Sequence, residues 1–126
     1  MELHLPSQPR AARLGRRWVL ERLPAGTDVH AVQVIELLVS EVVTNAVKYG
    51  RAPEGLRLVM EREHRAITVA VSDANPTPPH VVDPPPTTAG GRGVLLVDRL
   101  ADAWGVTHDA GVKTVWFRVA LDTARR

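Results

Sequence analysis

Three polar side chains recur at helical spacing within one long apolar stretch of the chain. Glu41, Asn45 and Lys48 lie at intervals of four and three residues between Ile35 and Tyr49. At about 100° of rotation per residue, a helix places all three within about 60° of one another, on one face. Burying these groups without partners would cost several kcal/mol, so they are expected to meet a ligand, a metal ion, water or other side chains. A satisfied polar cluster of the core, or an ordinary surface face, is the alternative interpretation.

A glycine cluster is the second candidate for chemistry. Gly90-Gly-Arg-Gly93 immediately precedes an apolar segment, Val94 to Leu100, that is predicted to be helical. Glycines let a phosphate approach the backbone, and the first N–H groups of a helix have no intrahelical partner. Such turns also serve geometry alone, and Asp73, at the end of a predicted strand, is likewise either a ligand contact or a turn residue.

The composition limits the possible classes of protein. A chain of 126 residues with 44% apolar and 24% charged residues is typical of one soluble globular domain, residues 1–126. The absence of cysteine excludes disulfide and thiolate chemistry. No signal peptide or membrane span is recognised, so a cytoplasmic location without a membrane partner is expected. A net charge of +2 gives no argument for direct nucleic-acid binding.

The hydrophobic periodicity predicts the order β-α-α-β-β-loop-α-β-β. Two layers are expected: a largely antiparallel sheet of about five strands, with three helices on one face, in an α+β fold. The predicted strands are Glu2–Leu5 (at an edge), Leu56–Arg62, Ala66–Ser72, Ala103–Val106 and Thr114–Leu121. The predicted helices run from Ser7 or Pro9 to about Leu23, from a Thr27 or Asp28 cap to Tyr49, and from Val94 to Leu100.

A proline-rich segment of about fifteen residues separates the third strand from the third helix. It has no periodicity, and a loop of that length in a compact domain is usually functional or mobile. The first predicted helix carries five arginines, which form either a solvated face or a partner-binding patch.

The order of these motifs resembles the GHKL (Bergerat-fold) ATPases, the gyrase, histidine kinase and MutL type of ATP-binding domain. The resemblance covers nearly the whole chain. Three segments are more closely similar to short actinobacterial ATP-binding proteins related to anti-sigma-factor serine/threonine kinases: Leu37-Leu-Val-Ser-Glu-Val-Val-Thr-Asn-Ala-Val47, Gly91-Arg-Gly-Val-Leu-Leu-Val97 and Lys113-Thr-Val-Trp-Phe117.

The resemblance implies a role for each residue of the helical trio. Asn45 matches the asparagine that ligates Mg²⁺ between the nucleotide phosphates, for which an amide oxygen is a suitable hard donor. Glu41 matches the glutamate that acts as general base, and Lys48 on the same face would help to neutralise phosphate charge. Asp73 matches the aspartate that accepts a hydrogen bond from the amino group of adenine.

The resemblance also covers the loops around the nucleotide. Gly91 and Gly93 match the glycines around the phosphates, with Arg92 between them directed either to a phosphate or to solvent, and residues 75–90 match the ATP lid. Thr114 matches the threonine that supports the adenine site. The family's Asp-x-Gly-x-Gly is replaced by Asp73-Ala-Asn-Pro-Thr, and Asn75 is expected to substitute for the first glycine because asparagine tolerates positive φ.

Two functions follow from this resemblance. The first is an ATP- and Mg²⁺-dependent serine/threonine protein kinase that acts as an anti-sigma-factor-like regulator, with a sigma factor or a STAS-type antagonist as partner. The alternative is a non-catalytic ATP-binding module that switches partners. A histidine kinase is disfavoured because the five histidines are scattered and no helical hairpin precedes the domain. A homodimer is a further possibility that the resemblance raises.

Overall fold

The computed structural model describes residues 1–49, 54–73 and 91–122. The predicted lid, residues 75–90, with Asn75 and Gly90, lies outside the described residues. The order of the elements is the predicted one: β1 Glu2–Leu5, α1 Ala11–Glu21, α2 Val29–Tyr49, β2 Leu56–Glu63, β3 Ala66–Asp73, α3 Gly91–Leu100, β4 Ala103–Asp109 and β5 Val112–Ala120.

The described strands form one sheet in the order β1-β2-β3-β5-β4, with every neighbouring pair antiparallel. Alternate side chains of the central strands, such as Leu58, Val69 and Phe117, are fully buried in the same core cluster as Ile35 and Leu38 of α2. The intervening positions point away from this core. The predicted α+β fold is therefore confirmed, with an antiparallel five-stranded sheet and three helices in the described part of the chain.

α2 is the central helix of the helical layer. The Asp28 carboxylate accepts a hydrogen bond from the backbone N–H of Ala31 at 3.3 Å, as expected of a cap. By length and composition α2 could cross a membrane, contrary to the expectation that no segment would. A core helix meets the same criterion, and α2 buries one side against the sheet and the other helices. Its buried residues are Ala31, Val34, Ile35, Leu38, Val39, Val42 and Val43.

α1 packs closely against α2 and the sheet. A side chain at Gly15 would meet Leu58 at 3.2 Å and Val43 at 3.5 Å, so the missing Cβ permits this approach. Arg16 donates a hydrogen bond to the Ser40 hydroxyl of α2 at 2.9 Å. α1 begins later than predicted because the chain makes a hydrogen-bonded turn from Gln8 to Ala11 first.

β1 is an edge strand, as predicted, and a charge pair helps to hold it to β2. The Arg57 guanidinium contacts the Glu2 carboxylate at 2.9 Å. This hydrogen-bonded contact lowers the pKa of Glu2. Because the pKa is lowered on folding, the contribution of the pair is present at neutral pH and is lost as the pH falls through the folded-state pKa.

Further element boundaries also differ from the prediction. α3 begins at Gly91 rather than Val94, so residues 91–93 form the first turn of the helix instead of preceding it. β4 extends to Asp109 and β5 begins at Val112, because the two strands continue pairing as far as a two-residue turn. The sequence pattern missed the end of β4 because Thr107, His108 and Asp109 are polar and exposed and carry little hydrophobic periodicity.

The β4–β5 turn gives a stability prediction. Ala110 and Gly111 both have positive φ, 51° and 83°, which is the type I′ geometry of a two-residue hairpin. Replacing Ala110 with asparagine should stabilise the protein by about 0.5–1 kcal/mol, because asparagine tolerates this conformation better than alanine. Urea unfolding measures the change. Ala110→Val is the matched control and should be destabilising; equal free energies of unfolding for the two variants would contradict the assigned turn.

Candidate functional site

The C-terminal end of α2 lies at the same end of the sheet as Asp73. At the other end, the backbone N–H of Asp28, just before α2, donates to the carbonyl of Leu121 after β5 at 3.2 Å. α2 then runs back across the sheet to Tyr49, and the short connection 50–55 leads to Leu56, the first residue of β2. Leu56 pairs with Asp73, the last residue of β3. The second half of α2 and the end of β3 therefore lie at one end of the domain.

α3 brings its N-terminus towards the same end. Just after α3, the backbone N–H of Asp102 donates to the carbonyl of Arg118 at 2.9 Å, near the opposite end of the sheet. The helix then lies back along β4, as the hydrogen bond from Trp104 Nε1 to Asp98 at 2.9 Å shows. The first turn of α3, Gly91–Gly93, is consequently directed towards the Asp73 end. The N–H groups of a first helical turn have no intrahelical partner and can face an anion there.

The polar trio of α2 lies on a face that remains partly open. Glu41 and Asn45 are partly exposed and Lys48 is exposed. Leu37, one turn before Glu41 on this side, is 40% exposed. Among the described residues no hydrogen bond or ion pair to the Glu41 carboxylate is found, whereas Asn45 does have a partner. Glu41 therefore presents an accessible carboxylate one helical turn from an amide.

Asp73 lies on the helix side of the sheet and Thr114 does not. Asp73 pairs with Leu56, which is 1% exposed and belongs to the core cluster. Thr114 pairs with Ser72, one residue earlier on β3, so its side chain points to the opposite face. The register thus separates Thr114 from the other predicted site residues. Lys113, which belongs to the matched segment but to which the resemblance assigned no role, takes the helix-facing position instead.

The donor set suits a magnesium ion shared with a bound phosphate. Among the described residues no group of three or more His, Cys, Asp or Glu side chains could hold a metal ion. Mg²⁺ in phosphoryl-transfer sites is usually held by one or two protein oxygens together with phosphate oxygens and water. The side-chain oxygen of Asn45, on the half of α2 that lies at the same end of the sheet as the start of α3, fits such a ligand.

A separate open depression lies at the far end of the sheet. It is lined by residues of the β2–β3 turn and of the start of α2, among them Asp28, Arg62, His64 and Arg65. The full length of β2 and β3, roughly 24 Å for the seven steps of about 3.4 Å between eight residues, separates it from Asp73. It therefore forms no part of the candidate site.

Together the site consists of Glu41 and Asn45 on the partly open face of α2, Asp73 at the end of β3, and the glycine-containing start of α3. On a sheet covered by helices, this arrangement defines an α+β nucleotide-binding domain. The family model of the histidine kinase-like ATPase domain matches residues 5–119. The chain belongs to this family, which confirms the resemblance to the GHKL-type ATPases and supports ATP binding. A comparison with curated proteins finds no match.

Proposed function

We propose that the protein is an ATP- and Mg²⁺-dependent serine/threonine protein kinase that regulates a sigma factor by phosphorylating a STAS-type antagonist. The observation that supports catalysis is the Glu41 carboxylate, which is partly exposed and has no partner among the described residues. It stands one turn from Asn45, so an acceptor hydroxyl could reach it beside a bound triphosphate. The partner class is taken from the resemblance in residues 37–47, 91–97 and 113–117.

Glu41 would accept the proton of a serine or threonine hydroxyl as the hydroxyl oxygen forms its bond to the γ-phosphorus of ATP. The bond from that phosphorus to the bridging oxygen breaks, and ADP leaves. Mg²⁺, when bound through Asn45, supplies charge neutralisation on the phosphates. Lys48 and the first N–H groups of α3, at Gly91–Gly93, would add to the stabilisation of negative charge.

The experiment that tests the nucleotide site is calorimetric titration with ATP and ADP, with and without Mg²⁺. Asn45→Ala should lower the affinity for ATP in the presence of Mg²⁺ by about tenfold or more, because the protein ligand to the ion is lost, about 1.4 kcal/mol per factor of ten. The variant should also lose most of the Mg²⁺ dependence of binding.

The matched control is Gln33→Ala, an exposed amide on the same helix three turns from Asn45. It should bind ATP as the wild type does. Equal losses in both variants would indicate a general effect on α2, and no adenine nucleotide binding by the wild type would overturn the proposed function.

A second candidate function is a non-catalytic module whose partner affinity changes with bound nucleotide. The sequence Asp73-Ala-Asn-Pro-Thr favours it, since the glycines expected after the aspartate are missing. Incubation with γ-labelled ATP and a STAS-type protein separates the two functions. Transfer of label supports the kinase, while a nucleotide-dependent change in partner affinity without any transfer supports the module.

A further inference from the structure

The end of β3 and the start of β5 lie side by side at the site end of the sheet. Ser72 pairs with Thr114, and continuing this antiparallel register by one residue places Asp73 opposite Lys113. Lys113 pairs in turn with His108 on β4. Residues directly opposite each other in an antiparallel pair have Cβ atoms about 4.5–5.5 Å apart. A carboxylate and an ammonium thus stand on neighbouring strands at this end.

Lys113 is on the face of the sheet that carries the helices. Val115 and Phe117, two and four residues further along β5, pack in or against the core cluster, and strand side chains alternate between faces. The Lys113 side chain is exposed, and in the described part of the chain no carboxylate forms an ion pair with it. Its ammonium is therefore available to a ligand that binds beside Asp73 on the helix-facing side of the sheet.

We propose that Lys113 is a base-reading residue whose ammonium donates a hydrogen bond to ring nitrogen N1 of adenine. The inference rests on the proposed nucleotide site, in which Asp73 accepts a hydrogen bond from the neighbouring amino group. Adenine presents a donor and an acceptor next to each other on this edge. The acceptor Asp73 and the donor Lys113 stand next to each other on β3 and β5, so the two pairs are complementary.

This pairing gives the site a means of discriminating between purines. Guanine presents an oxygen acceptor and a ring N–H donor in these two places. In the same orientation, the acceptor Asp73 would face an acceptor and the donor Lys113 would face a donor. A protein donor facing a donor, or an acceptor facing an acceptor, leaves both groups unsatisfied and lowers affinity. Thr114, on the opposite face, takes no part in this discrimination.

The test compares ATP with 1-deaza-ATP, in which a carbon replaces ring nitrogen N1. The two nucleotides carry the same phosphate charge, so the ratio of their dissociation constants is insensitive to the general attraction of a lysine for phosphate. We expect the wild type to bind 1-deaza-ATP about five- to tenfold more weakly than ATP, the size typical of one charge-assisted hydrogen bond at a partly exposed site. In Lys113→Met this ratio should fall to near one.

Thr114→Val is the matched control, since it lies on the next residue of the same strand and faces away. It should retain the wild-type ratio, and thermal melting should show that all three proteins are folded. A wild-type ratio near one, or a ratio that Lys113→Met leaves unchanged while ATP still binds, would overturn the role of Lys113 alone. Absence of ATP binding by the wild type would overturn the proposed function as well.

Discussion

Replacing Glu41 with glutamine is expected to reduce phosphotransfer to a STAS-type acceptor by about 10²–10⁴-fold, the usual contribution of a general base. Glutamine keeps the size of the side chain but cannot take up the proton of the acceptor hydroxyl. Because the Glu41 carboxylate has no hydrogen bond or ion pair among the described residues, the change removes no such bond from that part of the chain. The affinity for ATP should therefore stay within about threefold of the wild type, less than 1 kcal/mol.

The initial rate of label transfer from γ-labelled ATP measures the effect, with calorimetry for the affinity. Glu36→Gln is the matched control, since Glu36 lies on the same helix but approaches Arg16 of α1 at 3.9 Å instead of facing the site. Its rate should equal that of the wild type. A Glu41→Gln variant that transfers phosphate at the wild-type rate would show that Glu41 is not the general base, even if nucleotide binding is intact.

The elements with strong periodicity could be predicted from the sequence, including their order. The α2 pattern placed Glu41, Asn45 and Lys48 on one face, and the structure leaves that face partly open. The sequence predicts the start of α3 three residues too late because glycine has a low helix propensity. In the first turn this cost is tolerated, since those residues need not satisfy the hydrogen-bonding pattern of a helix interior.

The pairing register of β3 and β5 could not be predicted from the sequence motifs. Thr114 and Lys113 are adjacent in the sequence, and a shift of one residue moves a side chain to the other face of a sheet. The pairing of Ser72 with Thr114 in the structure shows that Lys113, and not Thr114, accompanies Asp73. The sequence does not show an alternation of apolar and polar residues here, because Trp116 stands between Val115 and Phe117 and makes the middle of β5 apolar on both faces.

The position of α2 relative to the sheet likewise could not be predicted from local sequence patterns. The half of α2 that carries Asn45 lies at the same end of the domain as Asp73 because α2 crosses the whole sheet, which is a long-range consequence of packing. The hydrogen bond from the Asp28 N–H to the Leu121 carbonyl fixes one end of this arrangement. The close contact at Gly55 fixes the other, directly before the strand that pairs with Asp73.

Replacing Gly55 with alanine is accordingly expected to destabilise the protein by about 3 kcal/mol. Gly55 has a φ of 100°, and a Cβ there would lie 2.6 Å from the carbonyl oxygen of Leu5, a backbone atom of β1. The left-handed backbone costs a non-glycine residue about 1–2 kcal/mol. The clash adds to that, because moving the carbonyl away disturbs the pairing of Leu5 with Leu56.

Gly26→Ala separates the two contributions. Gly26 also has a positive φ, 85°, but a Cβ there would have nothing within 4 Å, so only the backbone cost of about 1–2 kcal/mol should appear in urea unfolding. The difference between the two variants measures the contact between Gly55 and β1. Since Leu56 pairs with Asp73, Gly55→Ala should also weaken ATP binding while Gly26→Ala leaves it unchanged. Equal destabilisation by the two substitutions would mean that β1 can move to accommodate a side chain at Gly55 without a loss of stability. The contact between Gly55 and Leu5 would then not hold this end of the site in place.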